Sequence, residues 1–308
     1  MNLTALKAFF SKSYWRYSIF NIDTLKALFT GFGALWLAIE ILTFFTPENV
    51  QELRLNWKWF ILTGILFVIW ARRPVVAISE RLSGRDVKLE IKIGNIFDIN
   101  GARIISTNTT FDTEINPSKI SEQSLQGQFT RRFYENVRHM DQDLQDSLKN
   151  EQIKEELDRE KSKSKRYKIG TIAQVRPKNQ TFYLVAVADM NENWVAESSF
   201  ENIKICLAEL WNYIGSCGGM EPVVIPLIGS GYSRLPEKRD VLAKEIIKSF
   251  VAACATKKFC EKFTLVISPD DYRKHGLNLY ELREYLRYIC RYTEFKTKKD
   301  FGEGVGID

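Results

Sequence analysis

The residues best suited to chemistry lie in one run, Glu221 to Pro236. Val223, Val224 and Ile225 are consecutive apolar residues with branched β-carbons, the pattern of a strand covered on both faces. Gly229 and Gly231 follow and let the backbone reach positive φ and approach a ligand closely. A helical pattern then runs from about Glu237 to about Thr256. Strand, Gly-x-Gly loop and helix N-terminus together suit an anion. Backbone N–H groups converge there and the helix dipole favours negative charge, so the matching chemistry is a phosphate or diphosphate. An ordinary tight turn has the same two-glycine pattern. The run also lacks the Gly-Lys-Ser/Thr of a P-loop and the third glycine of a dinucleotide fingerprint.

Composition narrows the remaining chemistry. With only two histidines, His139 and His275, neither a zinc site nor a Cys-His dyad is expected. The five cysteines, Cys206, Cys217, Cys254, Cys260 and Cys290, form no C-x-x-C pair and read as reduced thiols of a cytosolic domain. The net charge of +6 is spread over 308 residues with acids interleaved, which is not the footprint of a nucleic-acid binder. No metal and no cofactor are expected.

The elements that must position such a loop alternate along the chain. Val87 to Ile93 alternates strictly and reads as a half-exposed strand. Arg103 to Ser106 reads as a buried strand ending in the polar loop Thr107 to Thr113. A helix is expected from Ser124 to about Val137, followed by a long charged helix from Asp141 to about Arg166 with few apolar residues. The run Phe182 to Ala188 reads as a central strand and Phe200 to Tyr213 as an amphipathic helix. Phe263 to Ile267 is a last strand and Leu279 to Tyr292 a last helix. The expected class is α/β, a mixed sheet flanked by helices, over 84–308 with a charged helical insertion at about 138–166.

A different solvent is written into the first part of the chain. Residues 1–24 mix Phe9, Phe10, Trp15 and Phe20 with Lys7, Lys12 and Arg16. Two readings fit them: an interfacial amphipathic helix, or a helix packed on another subunit. Leu25 to Phe45 is almost wholly apolar, long enough at about 1.5 Å per residue for a core of about 30 Å. Trp57 to Ala71 is a shorter apolar run with Trp57, Trp59 and Trp70 at its ends. Residues 25–82 therefore read as a transmembrane helical hairpin, with no cleavable signal peptide ahead of it. Lys and Arg are in excess at the outer ends of the hairpin and not in its loop, so the positive-inside rule puts both termini of a multi-pass membrane protein in the cytoplasm. Glu40 stays open between a polar contact among subunits and a place near the outer interface. Gly31 and Gly33 could allow close helix packing.

Taken in order, these motifs resemble the macro domain, the ADP-ribose-binding α/β fold. Gly94-Asn95-Ile96 is similar to that family's Gly-Asp-Ile, with Asn for Asp. Ile104-Ile105-Ser106-Thr107-Asn108 resembles its Asn-bearing strand end. Pro226-Leu227-Ile228-Gly229-Ser230-Gly231 resembles its phosphate loop, and Asp270-Asp271-Tyr272 its closing acidic-Tyr segment. Asn108 to Thr113 and Ser124 to Phe129 resemble more specifically the divergent macro domains of the bacterial Thoeris antiphage system, where a two-span membrane segment precedes the domain.

The resemblance implies roles residue by residue. Gly94, Asn95 and Ile96 would hold the adenine, with Ser268 and Tyr272 at its border. Leu227, Ile228, Gly229, Ser230, Gly231, Tyr232 and Ser233 would wrap the diphosphate. Thr107, Asn108, Thr109, Phe111 and Asp112 would face the distal ribose. The family's run of three glycines is missing after the Asn strand, and Gly127 would partly rebuild the phosphate side. The resemblance also implies a function: a homo-oligomeric membrane effector sensing an ADP-ribose-type nucleotide. A TIR-domain partner would make that signal from NAD, and the output would be membrane disruption. The other readings are a membrane-tethered ADP-ribosyl hydrolase, with Asp112 as base, and a passive ADP-ribose reader.

Overall fold

The computed structural model describes residues 22–45, 57–71, 76–116, 120–157, 163–190, 196–229, 235, 237–275 and 277–300. The expectations for residues 1–21, for the loop at 46–56 and for Ser230, Gly231, Tyr232 and Ser233 lie outside these residues. The chain divides into two units, Met1–Val76 and Ala77–Asp308.

The first unit pairs helix α1 (Ile22–Phe45) with helix α2 (Trp57–Ala71). Thr24–Phe45 is long and apolar enough to cross a membrane. The 15 residues of α2 rise only about 22 Å, less than a bilayer core of about 30 Å. The two helices interlock through glycine. A Cβ on Gly31 would lie 2.5 Å from the Phe67 ring, and one on Gly64 would lie 2.6 Å from the Phe32 ring. Each phenylalanine thus fills the notch that a missing side chain leaves on the other helix. Gly33 takes no part in this: nothing approaches its Cβ position.

The second unit is built on a mixed eight-stranded sheet. Strand β1 (Ala77–Leu82) forms an antiparallel hairpin with β2 (Val87–Ile93). In β2 the residues Val87, Leu89, Ile91 and Ile93 are buried while those between are not, as the alternation predicts. Strand β3 (Ala102–Asn108) is buried on both faces. After it come helices α3 (Leu125–Phe133) and α4 (Val137–Ser147), broken at Tyr134 to Asn136, where Asn136 caps α4. Strands β4 (Ile153–Glu156) and β5 (Lys165–Tyr167) form a separate two-stranded ribbon. Strands β6 (Ile172–Val175), β7 (Phe182–Met190) and β8 (Ala196–Glu197), helix α5 (Phe200–Cys217), strand β9 (Val223–Pro226), helix α6 (Arg239–Thr256), strand β10 (Lys262–Ile267) and helices α7 (Pro269–Lys274) and α8 (Leu279–Asp300) complete the unit.

The sheet order is β1-β2-β10-β9-β3-β7-β6, with β8 also on β7. From β2 to β7 all neighbours are parallel. The faces are easily told apart on β7. Phe182, Leu184 and Ala186 join Ile105, Phe129, Met140 and Leu144 in one core cluster, so α3 and α4 cover that face. Tyr183, between them, meets Tyr213 of α5 across 5.9 Å on the other. There Trp211 of α5 meets Phe250 of α6, which stacks on Phe263 of β10 at 4.1 Å. Each fully buried ring of this kind stabilises the fold by about 1.5–3 kcal/mol.

The charged insertion differs from the expected long helix. Helix α4 buries Met140 and Leu144 and stops at Ser147, with Leu148 as its buried cap. Continuing it would present Glu151 and Gln152 to that core, so the chain turns instead. The ribbon that follows is set by charge across its strands: Glu155 pairs with Arg166 at 3.1 Å and is its register partner.

Candidate functional site

Parallel strands bring their C-terminal ends to one edge of a sheet, and ligands of open α/β sheets bind outside that edge where successive crossovers go to opposite faces. Here that position lies between β3 and β9. Strand β3 is followed by α3 on one face, while β9 is followed by α6 on the other. The two strands also part: they pair only at Ala102 with Val223 and Arg103 with Val224. Beyond that point β9 stays with β10 as far as Pro226, and β3 stays with β7 as far as Asn108. The sheet forks toward its C-terminal edge. Gly94 and Asn95 follow β2, Ser268 follows β10, Leu227 to Gly229 follow β9, and Thr109 follows β3, so the expected site residues share this edge.

On one flank stands a tight turn. Asn95 caps the short helical turn Ile96–Asp98, its Oδ1 accepting from Phe97 N at 3.0 Å. Ile96 is buried, and Gly94 has open space where a side chain would be. Arg103 of β3, 5% exposed, donates from Nε to Ile96 O at 3.2 Å and from Nη2 to Phe97 O at 3.4 Å. Its Nη1 reaches Gln180 Oε1 at 2.7 Å, and its guanidinium lies 5.5 Å from the Phe182 ring centre. Burial lowers its pKa, which Asp98 partly counters. Neighbouring Ser268 caps α7, its Oγ accepting from Asp271 N at 3.1 Å, and Asp271 pairs with Arg239 at 3.4 Å. Tyr272 is buried.

The loop after β3 is closed on itself. Asn108 Nδ2 and Thr110 Oγ1 both donate to Asp112 Oδ2, at 2.8 and 2.6 Å. Asp112 N donates back to Asn108 Oδ1 at 3.0 Å, and Gln126 Nε2 donates to Asp112 O at 2.6 Å. The backbone donors of Thr109 and Phe111 go to Ala188 O and Asn108 O. Phe111 has φ +50° and is completely buried, edge-on to Tyr167 in the core. Of the residues expected at the distal ribose, Phe111 thus turns its ring into the core from a left-handed backbone, and Asp112 has its Oδ2 bonded within its own loop. The ribbon braces this loop from outside, with Tyr167 N donating to Thr109 O at 2.8 Å and Lys163 Nζ to Phe111 O at 2.7 Å. Thr109 Oγ1 donates to Asp189 Oδ1 at 2.5 Å.

Gly127, expected on the phosphate side, lies in the first turn of α3. Its N–H donates to the Ser124 cap, at 3.0 Å, and a Cβ there would collide with Ser121 O. It is glycine so that α3 can pack on that carbonyl. Across the fork, Leu227 and Ile228 are buried and Gly229 has φ +81°, with its Cβ position filled by Leu235. Thr107 is 4% exposed and, among the described residues, its Oγ1 has no hydrogen-bond partner. Sequence reasoning missed Arg103, although a lone arginine inside the run Ala102 to Ile105 was the signal. It also missed Gln126 and Lys163, which nothing in their surroundings marks.

Fold order and site edge define a protein with a macro-domain-like α/β fold. A family described as "Thoeris protein ThsA, Macro domain" matches residues 89–268. The Thoeris protein ThsA of Bacillus amyloliquefaciens (strain Y2) is 30% identical over 217 residues, covering 68% of this chain and 70% of that protein. The chain belongs to the Thoeris ThsA macro-domain family, and so to antiphage defence. A mutant of the Oceanobacillus iheyensis macrodomain is 11% identical, with a TM-score of 0.49, covering 71% of this chain and 100% of its own. Another mutant of that macrodomain, with ADPR, is 10% identical, with a TM-score of 0.45, covering 70% of this chain and 97% of its own.

Proposed function

We propose that this chain is a nucleotide-switched membrane effector. Residues 84–308 form its cytosolic sensor and bind an ADP-ribose-type nucleotide that a TIR-domain partner makes from NAD. The observation that carries this reading is the fork between β3 and β9, flanked by the glycine loop that starts at Gly229. In this arrangement the adenine lies by Gly94, Asn95 and Ile96, beside Ser268 and Tyr272. The loop 227–233 takes the diphosphate. The distal ribose abuts the strand end at Thr107 and Asn108, whose loop to Asp112 acts as a rigid wall. Thr107 Oγ1 supports this, because a buried hydroxyl without a partner is costly until a ligand or water supplies one. Residues 25–82 form the two-span hairpin of a multi-pass inner-membrane protein with both termini cytoplasmic. Ligand affinity that differs between assembly states rearranges a homo-oligomer and disrupts the membrane.

The hydrolase reading needs a general base beside the distal ribose. Asp112, the carboxylate expected there, has Oδ2 occupied by Asn108 and Thr110 and is buried. We therefore read the chain as a sensor without turnover. The test is calorimetric titration of the detergent-solubilised full chain with ADP-ribose and related NAD-derived nucleotides, with the mixture assayed for product. Tight binding without product supports the sensor. Product formation makes it an enzyme, and no heat with any nucleotide refutes the site. Growth arrest only on co-expression with an active TIR enzyme supports the effector over a passive reader.

A further inference from the structure

We propose that Arg103 is the positioning residue that makes the purine end of the site select adenine over 6-oxopurines. This inference rests on the adenine placement proposed above. It starts from a residue that is hard to explain as mere structure. Arg103 lies within a strand buried on both faces, yet among the described residues it forms no ion pair with a carboxylate. A buried cation is costly unless its donors are matched. Its guanidinium is held instead by two backbone carbonyls of one turn, Ile96 O and Phe97 O, and by Gln180 Oε1. The fork of the sheet begins at this same residue.

That turn carries Asn95. A carboxamide has an acceptor end and a donor end, and flipping it by 180° exchanges them. Adenine offers an amino donor at C6 beside ring acceptors, and Asn reads it with both ends. A 6-oxopurine offers a carbonyl acceptor at C6, to which the amide nitrogen of a flipped Asn would donate equally well. Asn alone therefore does not discriminate. Here the flip is blocked, because Phe97 N is a donor and must find the oxygen of Asn95, which it does at 3.0 Å. The block holds only while the Phe97 amide keeps its direction. Arg103 fixes that direction by binding the carbonyl of the Ile96–Phe97 peptide itself and that of the next peptide, Phe97 O. The planar fork of an arginine can hold two carbonyls at once, whereas a lysine is a single point charge. Arg132, with its guanidinium 4.8 Å from the Phe97 ring centre, adds a second restraint on the same residue.

The experiment compares the full chain with Arg103→Met and Arg103→Lys, titrated with ADP-ribose and with its hypoxanthine analogue. The unaltered chain is expected to prefer ADP-ribose at least tenfold. Arg103→Met is expected to bring the two affinities within threefold, and Arg103→Lys to fall between. Gln180→Ala, on an exposed residue, removes one anchor of the guanidinium and serves if Arg103→Met does not fold; it should shrink the preference two- to threefold. In Asn95→Asp, whose two oxygens make a flip meaningless, the preference should no longer depend on residue 103. The proposal is overturned if these substitutions weaken both nucleotides equally and leave their ratio unchanged, even with a lower melting temperature. It is also overturned if the unaltered chain binds both equally. Binding of neither nucleotide instead removes the placement of the ligand on which the proposal stands.

Discussion

The two loops that flank the fork are opposites. The loop after β3 satisfies itself: Asn108, Thr110 and Asp112 bond one another, and residues Thr109 to Thr113 are all buried. The loop after β9 starts from a glycine at φ +81° and leads toward the first turn of α6. One loop is closed by its own side chains, and the other opens on a left-handed glycine whose Cβ position Leu235 fills. The difference teaches that the β3 side of the fork is a wall braced by its own hydrogen bonds, so the anion contact proposed above has to come from the β9 side.

This contrast can be broken most forcefully at Gly229. In Gly229→Val the left-handed backbone would cost about 1–3 kcal/mol and the new side chain would displace Leu235. Calorimetry should show ADP-ribose binding weakened roughly 100-fold, a loss of about 2.7 kcal/mol. Unchanged affinity would remove the β9 loop from the ligand. Asp112→Ala attacks the other side and should act on stability first. It leaves the Asn108 Nδ2 donor unmatched in the interior and Thr110 with only its longer bond to Asn108 Oδ1, at a cost of about 3 kcal/mol, or roughly 6–12 °C in melting temperature for a unit of this size. A large fall in affinity with no change in melting would show that Asp112 touches the ligand after all.

Finer substitutions sharpen the contrast. Thr107→Val replaces a hydroxyl without a hydrogen-bond partner among the described residues by a methyl of similar shape. The free protein should gain up to about 1 kcal/mol while nucleotide affinity falls a few fold, since opposite signs are the mark of a group waiting for a partner. Equal signs in thermal shift and titration would deny Thr107 to the site. Lys163→Met should have the smallest effect. Lys163 bonds Phe111 O and pairs with Asp141 at 2.7 Å, but it is part exposed, so solvent screening holds its loss to about 0.5 kcal/mol. Protease nicking of the β3 loop is the sensitive measure, and it should rise in this variant without a change in affinity.

Much of the fold was legible because its strands obey a simple rule. The alternation of β2 and the unbroken apolar runs of β7 and β9 state which faces are covered, and the structure follows them. The ribbon was not legible, because a solvated helix and a solvated ribbon draw on the same Lys and Glu. Only the pairing of Glu155 with Arg166 separates them, and that is a contact across 11 positions. The internal bonding of the β3 loop is hidden from the sequence for a related reason. Polar residues that bond a ligand and polar residues that bond each other are chemically the same until their neighbours are known. Phe111 seemed out of place among them, and its ring in fact anchors the loop to the core.

The two glycine notches of the first unit have a mechanical meaning. Phe67 in the Gly31 notch and Phe32 in the Gly64 notch are two pins set in opposite directions. Such a pair resists sliding along the helix axes and resists scissoring about either pin alone. Sliding either helix along the other therefore requires both rings to leave their notches together.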